Sequence, residues 1–389
     1  MNALALYVHW PYCLYKCHYC DFNSYAVKWD EKLEKPYLDA LFNELSFYDT
    51  QLKTRKVKSI FLGGGTPSLF SPNSVESFLQ ETRNYFDWDP FCEVTIEANP
   101  KTIDARKIEG FLKAGVNRIS LGVQSFEDRY LSPLGRLHSG QEAREAIEHI
   151  QKTGCDFNID LMFGFPEQTL KEVLKDLEIA LSYHPTHLSF YHLTLEEGTL
   201  FTKDYEQGRI QLPPSDASSD MMEQGASLIE SHGLSQYEIS NFSLAEKKSI
   251  HNLAYWNYED YLGLGAGAFS FLKQEAFLHP SEKKIYGLRW MQPKKVADYF
   301  RAPSFERNVS LEEIDFETAQ KEFWMMGLRL NQGVSLLDFE KRFGKNEIQK
   351  KIALLSSLRK KEWLSYDSQR VWLSSKGRLL ANEVIEKFF

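Results

Sequence analysis

The sequence predicts an α/β protein carrying a smaller, mainly helical C-terminal unit. Six short apolar, β-rich runs alternate with helical stretches over roughly the first 195 residues. Beyond about Pro303 that alternation gives way to three consecutive helical patterns and a strand pair. Strand-helix alternation implies parallel pairing, which leaves two architectures open, a doubly wound sheet and a partial barrel. In both, chemistry collects at the carboxyl ends of the strands.

The β-rich runs fall at 4–8, 59–62, 93–98, 118–123, 157–162 and 187–192. Between the first two, residues 36–48 place Tyr37, Leu38, Leu41, Leu45 and Tyr48 on one helical face, and 74–86, 105–114, 140–153 and 170–183 fill the later gaps. A loose, proline-containing stretch at 211–216 leads to a helix at 217–231 and to an unusual segment at 237–270. Further on, 315–328 carry Phe316, Ala319, Phe323 and Met326 as a stripe most simply read as core. Helices at 336–343 and 347–361, a hairpin of 363–366 with 371–373, and a closing helix at 377–389 complete a winged-helix-like arrangement. Three parts are expected: a barrel or sheet over 1–210, an extension and connecting segment over 211–302, and the helical unit over 303–389.

Hydrophobic residues make up 43% and charged residues 26% of the 389, ordinary globular usage that excludes disordered, collagenous and coiled-coil classes. The net charge of −8 argues against a general polyanion binder. From Leu311 onward there are 14 basic and 12 acidic residues, too even a balance for a DNA reader, so no nucleic-acid partner is expected and the C-terminal unit reads as structural or docking. No apolar run approaches the ~20 residues that span a bilayer, and the first seven residues lack a signal-peptide pattern, which reads as cytoplasmic.

Polar and glycine-rich groups stand just past the strand ends: the Cys13 to Cys20 loop, Gly63-Gly64-Gly65-Thr66-Pro67, Glu97, Gln124, Asp160 and Tyr191-His192. Five cysteines form no disulfide framework; Cys92 and Cys155 are isolated and read as small packing residues. Cys13-x-x-x-Cys17-x-x-Cys20 offers three thiolates on one short loop, which suits an iron-sulfur cube with one open iron better than a tetrahedral zinc ion. Zinc completed by His9 or His18 is the alternative. The glycine run can approach a ligand closely and its amides can bond a carboxylate, although a tight turn would use the same residues. Glu97, Gln124, Arg136 and Asp160 are candidate ligand contacts whose bland reading is a solvated or ion-paired strand end.

The CxxxCxxC loop after the first strand resembles the radical S-adenosylmethionine superfamily. That resemblance implies an α/β fold, a partial (β/α)6 radical SAM barrel with a C-terminal mainly α, winged-helix-like domain. It also implies a [4Fe-4S] cluster held by Cys13, Cys17 and Cys20, with S-adenosyl-L-methionine chelating the fourth iron as the source of a 5'-deoxyadenosyl radical. Tyr7 to Cys13, Gly122 to Phe126, Leu134 to His138 and Asn158 to Gly164 look like blocks of the coproporphyrinogen-oxidase-like branch. By that likeness Tyr7, Gly64 and Glu97 touch the cluster-bound cofactor. Gly65, Thr66, Gln124, Arg136 and Asp160 match contacts to a second S-adenosylmethionine, and Tyr19 stands where the oxidase has an aromatic.

Two departures point away from the oxidase: Phe22 replaces its fourth motif cysteine, and the first strand begins at Leu4 without room for a long leading segment. These features and His251-Asn252-Leu253-Ala254-Tyr255-Trp256 look like the haem chaperones of the same superfamily, in which HNxxYW is associated with haem binding. The resemblance implies haem as cargo, an apo-haemoprotein as recipient and handover at the membrane surface; oxygen-independent coproporphyrinogen III oxidation is the alternative. A neutral histidine can ligate haem iron, but His251 among aromatics also reads as a satisfied packing residue. Gly263-x-Gly265-x-Gly267 has the wrong spacing for a dinucleotide fingerprint and reads as a turn near the barrel mouth.

Overall fold

Each β-rich run forms a strand: β1 (Ala3–Trp10), β2 (Lys56–Gly64), β3 (Asp87–Ala98), β4 (Arg118–Gln124), β5 (Asp156–Phe163) and β6 (His187–His192). The structure, a computed structural model, describes residues 3–49, 51–52, 54–278, 283–301 and 310–389. The six strands pair in parallel in the order of the sequence. A doubly wound sheet would reverse direction at a switch point; this one does not, which settles the architecture as a partial barrel.

Helices α1 (Glu34–Asp49), α2 (Pro72–Tyr85), α3 (Ala105–Ala114), α4 (Gly140–Gln151) and α5 (Leu170–Ser182) fill the gaps. Capping boxes at Ser139 with Glu142 and at Thr169 with Glu172 satisfy the first amides of α4 and α5, and so fix where those helices begin. Along β1 the outward residues Leu4, Leu6, Val8 and Trp10 are buried. Trp10 meets Phe70 at 4.1 Å and Tyr37 of α1 at 6.2 Å between ring centres. Burial of each such side chain contributes about 1.5–3 kcal/mol. The expected α1 stripe faces this layer and includes an unexpected member, Glu44.

The sheet continues on both sides. Beyond β6 lie β8 (Asn241–Ser243) and β7 (Ser235–Gln236), antiparallel. Beside β1 runs β9 (Tyr261–Leu264), parallel to it, followed antiparallel by β10 (Phe269–Lys273), β11 (Gly287–Met291) and β12 (Ser310–Ile314). The sequence pattern missed β12 because it is an edge strand with only Ile314 buried, so no alternation marks it. Gly265 and Gly267, at φ 97° and 79°, make the β9–β10 turn as expected. Glu44 fastens that turn, accepting from Gly265 N at 2.9 Å, Tyr299 Oη at 2.7 Å and Gln292 Nε2 at 2.6 Å.

The expected helix before this region is α6 (Ser215–Ser231), and His251 lies in a short helix, α7 (Ile250–Trp256). The C-terminal unit contains α8 (Phe316–Gly327), α9 (Leu336–Phe343) and α10 (Lys345–Lys360), with a three-stranded antiparallel sheet of β13 (Val334–Ser335), β14 (Leu364–Tyr366) and β15 (Arg370–Leu373). The closing helix is two pieces, Ser375–Leu379 and Ala381–Glu386, broken at Leu380. Of the α8 stripe, Ala319 and Phe323 are core while Phe316 is 36% exposed; Trp324, which the stripe does not include, is fully buried. The boundary expected at 302–303 lies outside the described residues.

Candidate cofactor site at the barrel mouth

A cavity of about 410 Å³ opens at the carboxyl ends of the barrel strands. It is lined by Cys13, Cys17, Tyr19, Cys20, Gly64, Gly65, Thr66, Glu97, Gln124, Arg136 and Asp160, so every sequence-predicted site residue except Tyr7 and His251 meets there. Strand alternation explains the convergence: Ser120, Gly122 and Gln124 are two apart on β4 and all line the cavity.

The cysteine loop is held from three sides. His18 N donates to Leu134 O at 2.9 Å, and Phe201 N donates to His18 O at 3.0 Å. Beyond Cys20, Asn23 Nδ2 donates to Ala266 O and Lys294 O, both at 2.9 Å, which ties the loop to the turn that Glu44 supports. Burial raises the Cys13 thiol and pushes Cys20 up to about 11. Thr66 Oγ1 donates to Cys13 Sγ at 3.4 Å, and Arg136 Nη1 lies 3.7 Å from Cys17 Sγ.

The zinc alternative needs a histidine with a nitrogen to spare. His18 bonds Tyr15 Oη at 2.8 Å and Pro133 O at 2.9 Å; His9 bonds Tyr7 Oη at 3.0 Å and Asn23 O at 2.8 Å. Both rings are fully engaged. Among the described residues no three His, Cys, Asp or Glu side chains are gathered as a preformed ion site.

The glycine run acts through close approach rather than through open amides. Gly64 N donates to Glu97 Oε2 at 3.0 Å, Gly65 N to Trp10 O at 2.7 Å and Thr66 N to Tyr12 O at 2.8 Å. Of the amides expected to be able to bond a carboxylate, that of Gly64 bonds the Glu97 carboxylate of β3, while that of Gly65 is taken by the extension of β1. A Cβ at Gly65 would sit 2.7 Å from Tyr12 O, so only glycine brings this backbone against the cysteine loop.

Glu97 is pushed up to about 8 by burial and by Asp160. Asp160, raised by burial, accepts from Asn158 Nδ2 at 2.7 Å and Ser120 Oγ at 3.2 Å. Gln124 holds φ 69°, a region costly for a residue with a Cβ, and its Oε1 accepts from Tyr191 Oη at 2.6 Å. Arg136 Nη2 donates to Gly122 O at 2.5 Å while its buried Nε has no partner among the described residues. Three thiols, an unpartnered guanidinium N–H and a glycine-flattened wall suit a thiolate-ligated cluster and an anionic, hydrogen-bonding small molecule. Met162, Tyr191, His192 and Glu196 also line the cavity and were not singled out as contacts, although Tyr191-His192 stood at the end of the sixth strand.

Tyr7 lies beneath the mouth, its ring 6.3 Å from Phe61 and 6.4 Å from His251. His251 is far from where an exposed ligand would stand. It is 1% exposed, its Nδ1 pairs with Ser59 Oγ at 3.0 Å and its Nε2 with Tyr255 Oη at 3.1 Å. Its ring stacks on Phe61 at 5.1 Å, and burial lowers its pKa to about 3. In this conformation both ring nitrogens of His251 are bonded inside the barrel.

Residues 7–180 match the radical SAM superfamily, and 314–380 match the HemN C-terminal domain. The heme chaperone HemW of Haemophilus influenzae is 36% identical, with 100% of this chain and 98% of that protein covered. The heme chaperone HemW of Bacillus subtilis is 35% identical over 99% and 98%. The mitochondrial radical S-adenosyl methionine domain-containing protein 1 of Bos taurus is 35% identical over 85% and 74%. Among solved structures, coproporphyrinogen III oxidase (HemN) from Escherichia coli superposes with a TM-score of 0.80, covering 100% of this chain and 90% of that one. At 21% identity that likeness shows the fold alone.

Proposed function

The chain belongs to the radical SAM superfamily and, within it, to the HemW family, and on that premise we propose that it is a haem chaperone delivering haem to apo-haemoproteins. The observation that carries this reading is identity of 36% and 35% to heme chaperones of two bacteria over essentially the whole of both chains. The superfamily implies a [4Fe-4S] cluster and S-adenosyl-L-methionine as cofactors.

We assign Cys13, Cys17 and Cys20 as the cluster ligands. The Cys13 and Cys20 thiols, raised by burial, would release their protons to solvent on loading, with Thr66 Oγ1 donating to Cys13 and the Arg136 guanidinium offsetting charge beside Cys17. A reduced cluster held by these three thiolates would supply one-electron chemistry at the sulfonium of S-adenosylmethionine. Gly64, Glu97 and Tyr7 are assigned to the cluster-bound cofactor, Tyr7 acting from below the wall rather than from the cavity. Gly65, Thr66, Tyr19, Gln124, Arg136 and Asp160 are assigned to the remaining cofactor surface.

For haem we assign His251, whose neutral imidazole is the form that ligates iron. The closed geometry around it means that α7 must move before iron can bind. A cytoplasmic place with handover at the membrane surface belongs to the same proposal. Among the described residues no helix is long and apolar enough to cross a membrane. The net charge of −8 supports the absence of a nucleic-acid partner.

Coproporphyrinogen III oxidation is the second reading, favoured only by the fold shared with that oxidase. Anaerobically reconstituted protein separates the two. Haem titration should give a saturable Soret shift, and incubation with coproporphyrinogen III should leave the substrate intact. Decarboxylation at enzymatic rates without a Soret shift would overturn the chaperone reading.

A further inference from the structure

The segment around His251 is fastened to the floor of the barrel by a charge pair that the cofactor site does not use. One Glu93 oxygen accepts from Ser249 Oγ at 3.2 Å and His251 N at 3.1 Å, and the other from Ile250 N at 3.1 Å. Arg118 Nε lies 3.2 Å from that second oxygen, with both side chains under 10% exposed. Arg118 Nη2 also donates to Lys247 O at 2.9 Å, and Lys247 Nζ pairs with Asp156 at 2.7 Å. Four of the residues 247–251, namely Lys247, Ser249, Ile250 and His251, are thereby held by β3, β4 and β5. On the opposite side α7 is covered by the C-terminal unit, where Arg329 lies 5.7 Å from the Trp256 ring centre. Arg342 Nη1 also donates to Tyr258 O at 2.7 Å.

An imidazole with 1% exposure and two bonded nitrogens cannot meet a porphyrin iron where it stands. Tyr255 Oη occupies Nε2, and Phe61 covers the ring face. Either α7 swings off the floor or the histidine never ligates.

We propose that Glu93 and Arg118 form a latch on the barrel floor that controls haem access to His251, closed in this conformation and released when 247–256 lifts away. The inference rests on the assignment of His251 as haem ligand. The open state is a minor population, so haem binding is limited by opening, and apparent affinity falls by the fraction open. Weakening the latch raises both without adding any contact to haem.

Stopped-flow mixing of the full-length, cluster-loaded protein with increasing ferric haem tests this. In the wild type the observed rate should reach a plateau, the opening rate. Ser249→Ala, which removes one latch bond and the α7 cap, should raise the plateau roughly fivefold, the rate equivalent of a lost cap. Glu93→Gln, which removes the charge, should raise it on the order of tenfold or more. Circular dichroism and iron content check that each variant is folded and loaded; should Glu93→Gln fail to fold, Ser249→Ala alone decides. An unchanged plateau, or a wild-type rate linear to the highest haem concentration, with a His251-dependent Soret band present, overturns the latch and leaves the haem assignment standing. A Soret band that His251→Ala does not alter overturns the assignment and the latch together.

Discussion

The mouth and the floor of this barrel are built from the same strands, yet they treat polar side chains in opposite ways. On β3 Glu97 reaches the mouth and Glu93 the floor, four residues or about 13 Å apart. Glu97 accepts one amide bond and faces a 410 Å³ cavity with Asp160 and an unpartnered Arg136 N–H. Glu93 is matched on every side, by Arg118, Ser249 and two amides of α7. The mouth is a concave surface with hydrogen-bonding capacity left over around a cavity, whereas at the floor the Glu93 carboxylate is bonded on both oxygens and Arg118 keeps one buried Nη1 without a partner among the described residues. Partly satisfied polar groups that face a cavity mark a place for a ligand, while a carboxylate whose oxygens are all bonded within the protein marks a fastening.

The largest effect that sharpens this contrast is loss of the cluster. Cys17→Ala should abolish stable reconstitution, measured as iron and sulfide per chain, while His251→Ala should leave both at the wild-type level. Equal loss in the two variants would show that mouth and floor are one unit. Next comes the energetic asymmetry of ion pairs. Arg118→Ala leaves the Glu93 charge buried beneath α7 and should cost about 3–5 kcal/mol in urea unfolding. At the mouth end, Lys101 pairs with Glu142 at 47% and 35% exposure, and Lys101→Ala should cost less than about 1 kcal/mol. Similar costs for the two would remove the distinction between a fastening and a surface pair.

The two ends were not equally legible in the sequence. Strand-helix alternation located all six barrel strands, because each is an apolar run bounded by glycine, proline or polar residues, and the spacing of the three cysteines marked the mouth. The floor was hidden because its partners are scattered: Glu93, Arg118 and Ser249 share no local pattern, and each alone reads as an ordinary charged or capping residue. His251 was singled out through a motif that carries no information about burial. β12 escaped because an edge strand with one buried side chain shows no period, and Glu44 gave no signal because a carboxylate adds nothing to an apolar stripe, although it lies on the buried α1 face, bonded to Gly265, Tyr299 and Gln292.

The smallest effect concerns pH, where the ends pull in opposite directions. Burial lowers His251 and His187, both at the floor, to about 3. Between that value and about 6.5 the unfolded chain binds more protons at these sites than the folded one, so their contribution to stability is lost as pH falls. Burial raises Glu44, which supports the turn behind the mouth, to about 7 and Glu97 to about 8. From about 4.5 up to those values the folded chain holds more protons than the unfolded one, so their contribution is lost as pH rises. In the cluster-free protein the two trends oppose each other between pH 5 and 6.5, and global stability should change little there. Glu44→Gln removes one opposing group. Its urea-derived stability, relative to wild type, should rise with pH by up to about 1.4 kcal/mol per pH unit over that interval. Parallel profiles for variant and wild type would mean that Glu44 is ionised throughout, held by its four donors, Gly265 N, Tyr299, Gln292 and Tyr48, despite burial.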